Sequence, residues 1–140
     1  MKRNFILLVA VVGVVAFGAA QASASSAPIV IPYEKTCDET SHCVGTAGDG
    51  GTIEMQGTSF ATTGKRAQIT VTVWITVGDI SFTAELRGHV STTGGVIVMN
   101  GTVTDGSFAG ARVHQRSELV GIDGTTSAWT GELRLYPASS

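Results

Sequence analysis

Arg112, His114, Arg116 and Glu118 stand at every second position of one stretch, a spacing that in a strand turns all four side chains to the same face. A histidine set between two arginines is suited to act as a neutral base or as a hydrogen-bond donor. Glu85, Arg87 and His89 repeat the pattern, and two such stretches in one sheet would form a single charged surface. The rival reading is a solvated outer face, because antiparallel sheets present alternating polar residues to water and pair charges across strands. Trp74 lies among threonines in the polar phase of another stretch, where an indole serves as an interface anchor or packs under a loop or a second subunit. Cys37, His42 and Cys43 would supply three metal ligands, but the second clustered pair of a zinc site is missing. The two cysteines are expected to form an intrachain disulfide instead. The chain has no Gly-x-Ser-x-Gly, no His-Glu-x-x-His and no calcium-loop pattern. GTAGDGG at 45–51 lacks the Lys-Ser/Thr ending of a phosphate-binding loop and reads as a turn. The ligand or interface candidates are therefore His114, Arg112, Arg116, Glu85, Arg87, His89 and Trp74. No catalytic residue, cofactor or metal is assigned, and whether the protein is an enzyme stays open.

The first 24 residues set the expected compartment. Lys2 and Arg3 precede an apolar run from Phe5 to Ala20, which ends in Ala22-Ser23-Ala24; a basic start, a short apolar middle and small residues at the end describe a secretory signal peptide. The expected location is secreted or periplasmic, with no membrane contact after cleavage. With Lys2 and Arg3 removed, seven basic residues face eleven acidic ones, a net negative charge that argues against nucleic acid or an anionic membrane as partner. The remaining roughly 115 residues suit one domain with one core.

Gly, Thr, Val and Ile dominate that remainder, and apolar residues recur at every second position rather than at helical spacing. Residues 25–51 read as an N-terminal arm with a disulfide loop, since Pro28 and Pro32 remove two backbone donors and allow at most an edge strand. The barrel domain is expected over 52–140. Ile69, Val71, Val73, Ile75 and Val77 alternate with polar residues, and Ile80, Phe82, Ala84 and Leu86 resume the alternation after Gly78-Asp79. A two-residue type II′ turn there, with Gly78 at positive φ, sets Ile75 opposite Phe82, Val73 opposite Ala84 and Val71 opposite Leu86. Val96-Ile97-Val98-Met99 is apolar in both phases and predicts a strand covered on both faces. Ala111, Val113, Gln115, Ser117 and Leu119 form the inward phase of the next strand, and Trp129, Gly131, Leu133 and Leu135 that of the last. A plain turn through Asp123-Gly124 would pair Val113 with Arg134, so a longer loop or a bulge is expected. Many short strands joined by tight turns predict an all-β fold, a closed or nearly closed antiparallel barrel of about eight strands, with a two-sheet sandwich as the alternative.

The run GTVTDGSFAGARV, Gly101 to Val113, resembles the Gly-Thr-hydrophobic-Thr-x-Gly, aromatic, Ala-Gly-Ala segment of small secreted barrels of the allene oxide cyclase and dirigent type. The resemblance covers only that segment. It implies an eight-stranded barrel, often a homo-oligomer, whose cavity receives a small apolar molecule and steers its coupling or cyclisation; none of that group's site residues maps to a position here. Three functions follow as expectations: a barrel binding a small apolar ligand, a cyclase or isomerase with His114 or Arg112 at the barrel mouth, or an inhibitor or interaction module using the charged face and Trp74.

Overall fold

A computed structural model of the chain describes residues 27–64, 66–91 and 95–137; the signal-peptide reading of 1–24 falls outside them. Eight strands follow one another: β1 (Ile29–Cys37), β2 (His42–Ala47), β3 (Gly51–Thr63), β4 (Arg66–Val77), β5 (Ile80–Ser91), β6 (Val96–Gly106), β7 (Arg112–Asp123) and β8 (Thr126–Tyr136). Each pairs antiparallel with the next, and β8 pairs with β1, so the sheet closes into a barrel. Closure leaves no free edge and sets the sandwich aside.

The β4–β5 hairpin has the register expected from its alternation, with Ile75 opposite Phe82, Val73 opposite Ala84 and Val71 opposite Leu86. Gly78 turns it with φ of 59° while Asp79 keeps a negative φ, the signature of a type II′ turn. The last hairpin reaches its register through a bulge at Val120, between the Leu119–Trp129 and Gly121–Ala128 pairs, which sets Val113 opposite Leu135. Two further bulges fall at Thr58 and Thr104. Each threonine hydroxyl donates to a carbonyl of the neighbouring strand, Thr58 to Thr70 and Thr104 to Thr83, at 3.2 Å in both cases. These bonds tie the interrupted ladders.

Two expectations are corrected. Residues 29–47 are staves of the barrel rather than an arm: β1 has β2 on one side and β8 on the other. Pro32 fits because its carbonyl accepts from Gly48 N on the β2 side. The missing N–H of a strand residue lies on the same side as its carbonyl, and here that is just past the end of β2, so no bond to β8 is lost. The second concerns Val96–Met99, whose outer face no described element of this chain covers. Met99 is buried and Ile97 packs against the core, whereas Val96 is exposed and Val98 only half-buried on the outer wall.

Cys37 and Cys43 are direct cross-strand partners and form a disulfide. It staples the ends of β1 and β2 around the turn Asp38–Ser41, where Asp38 Oδ1 accepts from Thr40 N at 2.8 Å and Thr40 Oγ1 at 2.6 Å. A disulfide is compatible with an oxidising, extracellular location.

The inward-facing side chains form one core with two unlike halves. At the end bounded by the β2–β3, β4–β5 and β6–β7 turns, Ile31, Ala47, Ile53, Val73, Ile75, Phe82, Val103, Val113 and Leu135 fill the barrel, and none is more than 4% exposed. The other end is open.

Candidate functional site

The open end is a cavity of about 530 Å³ between the staves. Its walls come from nearly every strand: Met55 and Phe60 of β3, Ile69 and Val71 of β4, Val90 of β5, Ile97 and Met99 of β6, and Trp129 of β8. Asp38, Thr40 and Ser41 of the β1–β2 turn sit beside it, with Cys37 and Cys43 below them. The bulge at Thr58 lies in the β3 segment that lines the mouth. Trp129 is held by its Nε1, which donates to Ser127 Oγ at 2.8 Å.

Lys35 lies at the base of this cavity and is 6% exposed. The alternation of β1 puts it there, in phase with Ile31, Tyr33 and Cys37. On β2 it is paired with Gly45, where the backbones of β1 and β2 approach too closely for a Cβ, and its Nζ reaches Met55 Sδ on β3 at 3.0 Å. The Tyr33 ring centroid is 5.6 Å from Nζ. Burial penalises the charged amine and lowers its pKa from the usual value to about 8.

Beside Lys35 a buried polar layer separates the two halves. Tyr33 on β1, Gly131 on β8 and Ser117 on β7 are aligned in register. Because Gly131 carries no side chain, the Tyr33 ring crosses β8 and its hydroxyl bonds Ser117 Oγ; a Cβ at Gly131 would stand 2.8 Å from that hydroxyl. Gln115 Nε2 donates to Tyr33 Oη and, at 2.7 Å, to Ser117 Oγ. Its Oε1 is buried without a partner among the described residues. Desolvation raises the Tyr33 pKa, against the lowering effect of its bonds to Ser117 and Gln115, so its hydroxyl stays neutral and able to donate.

The residues singled out in sequence stand elsewhere. Glu85, Arg87 and His89 of β5 and Arg112, His114 and Arg116 of β7 are all on the outer wall, and none lines the cavity. The fold does place them on one surface: Arg87, Asn100, His114 and Arg134 form one row across β5 to β8, and Glu85, Thr102, Arg112 and Tyr136 the next. β6 nevertheless keeps the two groups a strand apart, and each charged side chain is engaged locally or faces water. His114 Nδ1 donates to Asn100 Oδ1 at 2.8 Å. Arg116 pairs with Glu118, Arg134 with Glu132 at 2.5 Å, and Arg112 lies over the Tyr136 ring at 5.1 Å. Exposed pairs of this kind are screened by solvent and add little to stability. They describe a solvated face, and His114 and Arg112 are not at the mouth. Trp74 is on the outer wall too, 41% exposed, between Glu54 and Thr83. His42, weighed as a metal ligand beside the cysteines, pairs with Glu54 at 2.7 Å.

Sequence reasoning missed Lys35 as a cavity group and Tyr33 as its buried neighbour, and read Trp129 in the inward phase but not as a cavity wall. The available signal was the strict alternation of residues 29–37, which the two prolines masked. Gln115 and Ser117 were read in the inward phase but not as partners of Tyr33, because that contact spans the barrel closure. Comparison with protein-family models, with curated proteins and with solved structures finds no match to this chain.

Proposed function

We propose that the protein is an exported binding barrel that takes a small, largely apolar molecule into the open half of its interior. The observation that carries this reading is the cavity of about 530 Å³ with aliphatic, aromatic and thioether walls, a size and lining typical of small-molecule sites of roughly 300–1,000 Å³. Export is supported by the signal-like leader and by the disulfide between Cys37 and Cys43. The likeness of Gly101–Val113 to allene oxide cyclase and dirigent barrels points the same way, toward a cavity that receives a small apolar molecule.

The test is uptake of a neutral, environment-sensitive probe, N-phenylnaphthylamine, by the protein and by variants in which Ile69 or Ile97 is replaced with Trp. Both residues are partly buried on the cavity wall, so the larger ring extends into free space instead of into packed core. Saturable fluorescence enhancement that either substitution weakens about tenfold or more, at unchanged thermal midpoint, supports the reading. Absence of saturable uptake, or uptake indifferent to both substitutions, contradicts it.

A further inference from the structure

Lys35 is an ammonium placed where water is scarce. Such a group is stable only beside a counter-charge or with its protons fully bonded. Among the described residues its nitrogen meets the Met55 sulfur and the face of the Tyr33 ring, both weak and uncharged partners. None of the three ion pairs among the described residues includes it. Asp38, the acid beside the same cavity, forms no ion pair with it and has its Oδ1 taken by Thr40 N, Thr40 Oγ1 and His42 N. From the strands packed around Lys35 come Cys43 in its disulfide, Met55, and Trp129, which is bonded to Ser127. Tyr33 and Asp38 are thus the titratable groups facing it among the described residues.

Building on the ligand cavity proposed above, we infer that the molecule it accepts carries one carboxylate, which Lys35 Nζ binds at the cavity base while its apolar body lies against Ile69, Val71, Ile97 and Met99. A single compact cation matches a monoanion. Phosphate sites commonly surround a lysine with forked arginines, a helix N-terminus or a nest of backbone N–H groups, and among the described residues the cavity lining contains no arginine and no helix. Near neutral pH the amine is largely protonated, with its pKa near 8, and a bound carboxylate would hold the proton more firmly.

Isothermal titration with naphthoate and naphthylmethanol separates the charge from the apolar body, since the two share a ring system. At pH 7 naphthoate is expected to bind about tenfold tighter or better. The preference should fade as pH rises from 7 to 10, where the naphthoate stays ionised and Lys35 loses its proton. Lys35→Met should bind naphthylmethanol at least as well as the unsubstituted protein and lose the preference for the acid. Equal affinity for the two probes, a preference that persists to pH 10, or one that survives in Lys35→Met overturns the inference. The pH series uses the unsubstituted protein and so holds whether or not the variant folds. If naphthylmethanol binds and naphthoate binds no better, only the carboxylate assignment falls; if neither binds, the cavity reading falls with it.

Discussion

In the closed half of the barrel Ile31, Ile53, Val73, Phe82, Val113 and Leu135 meet across the axis and fill it, whereas in the open half the same strands carry Lys35, Met55, Ile69, Ile97 and Trp129 around a space they leave free. The two halves share strands, hydrogen-bond ladders and residue alternation. They differ in side-chain choice. The closed half obeys each rule of a stable core, with apolar residues facing apolar residues in a fixed register. The open half departs from those rules with a buried amine and a glycine opposite it at Gly45, while bulges interrupt both halves, at Thr58 and Val120 in the open one and at Thr104 in the closed one. Departures of that kind are found where a fold serves a site and the rest of the molecule supplies the stability.

The largest test of this division is truncation in each half. Leu135→Ala, at a fully buried position of the closed half, is expected to cost about 2–5 kcal/mol in chemical denaturation, while Phe60→Ala on the rim, 65% exposed, should change stability by less than about 0.5 kcal/mol and weaken probe uptake. Similar losses at both sites would dissolve the distinction.

Lys35 gives the next effect. Its pKa is lowered in the folded state to about 8, so between that value and its ordinary pKa near 10.4 the unfolded chain binds more protons. Stability therefore rises with pH across that window, by on the order of 3 kcal/mol. The gain is cut off above about pH 10, because Tyr33 has its pKa raised and only the unfolded tyrosine ionises readily there. Lys35→Met should be more stable than the unsubstituted protein at pH 7 and show no such rise. A thermal midpoint that falls from pH 8 to 10 in the unsubstituted protein would contradict the burial of this amine.

Opening the staple at the mouth is a smaller change. Replacing Cys37 and Cys43 together by Ser removes a cross-link spanning six positions, expected to cost about 2 kcal/mol in the chain-entropy model, and should weaken probe uptake, because the turn it fixes borders the cavity. The smallest effect is expected on the outer wall. His114→Ala loses one exposed bond to Asn100 and should shift stability by less than about 0.5 kcal/mol and uptake not at all; a large loss of uptake would return the site to that face.

Part of this could be read from sequence. The β4–β5 hairpin, which runs through both halves, was legible because Ile69–Val77 and Ile80–Leu86 alternate without interruption, and a slip of one residue would bury Glu85 and Arg87. The bulge before Asp123-Gly124 was legible from the clash between Val113 and Arg134. The candidate cavity was not, and for two physical reasons. Pro32 is compatible with a fully paired strand only because β2 ends beside it, and a neighbour's length cannot be read from the residues of β1. Lys35 resembles any surface lysine until its phase is fixed by Tyr33 and Cys37, and the glycines beside them, Gly45, where a Cβ would meet the β1 backbone, and Gly131, where it would crowd the Tyr33 hydroxyl, lie on β2 and β8. Charged residues on the outer wall drew attention because solvated charge alternates as conspicuously as a site would.

Methyl-resolved NMR during titration with N-phenylnaphthylamine puts the two halves in a single measurement. The expected result is saturable shifts at Ile69, Val71, Val90 and Ile97, with Ile31, Ile53, Val73 and Leu135 unmoved. Shifts confined to the outer-wall methyls of Val30, Val44 or Val96, or spread equally over both halves, would contradict a ligand seated in the open half of the barrel.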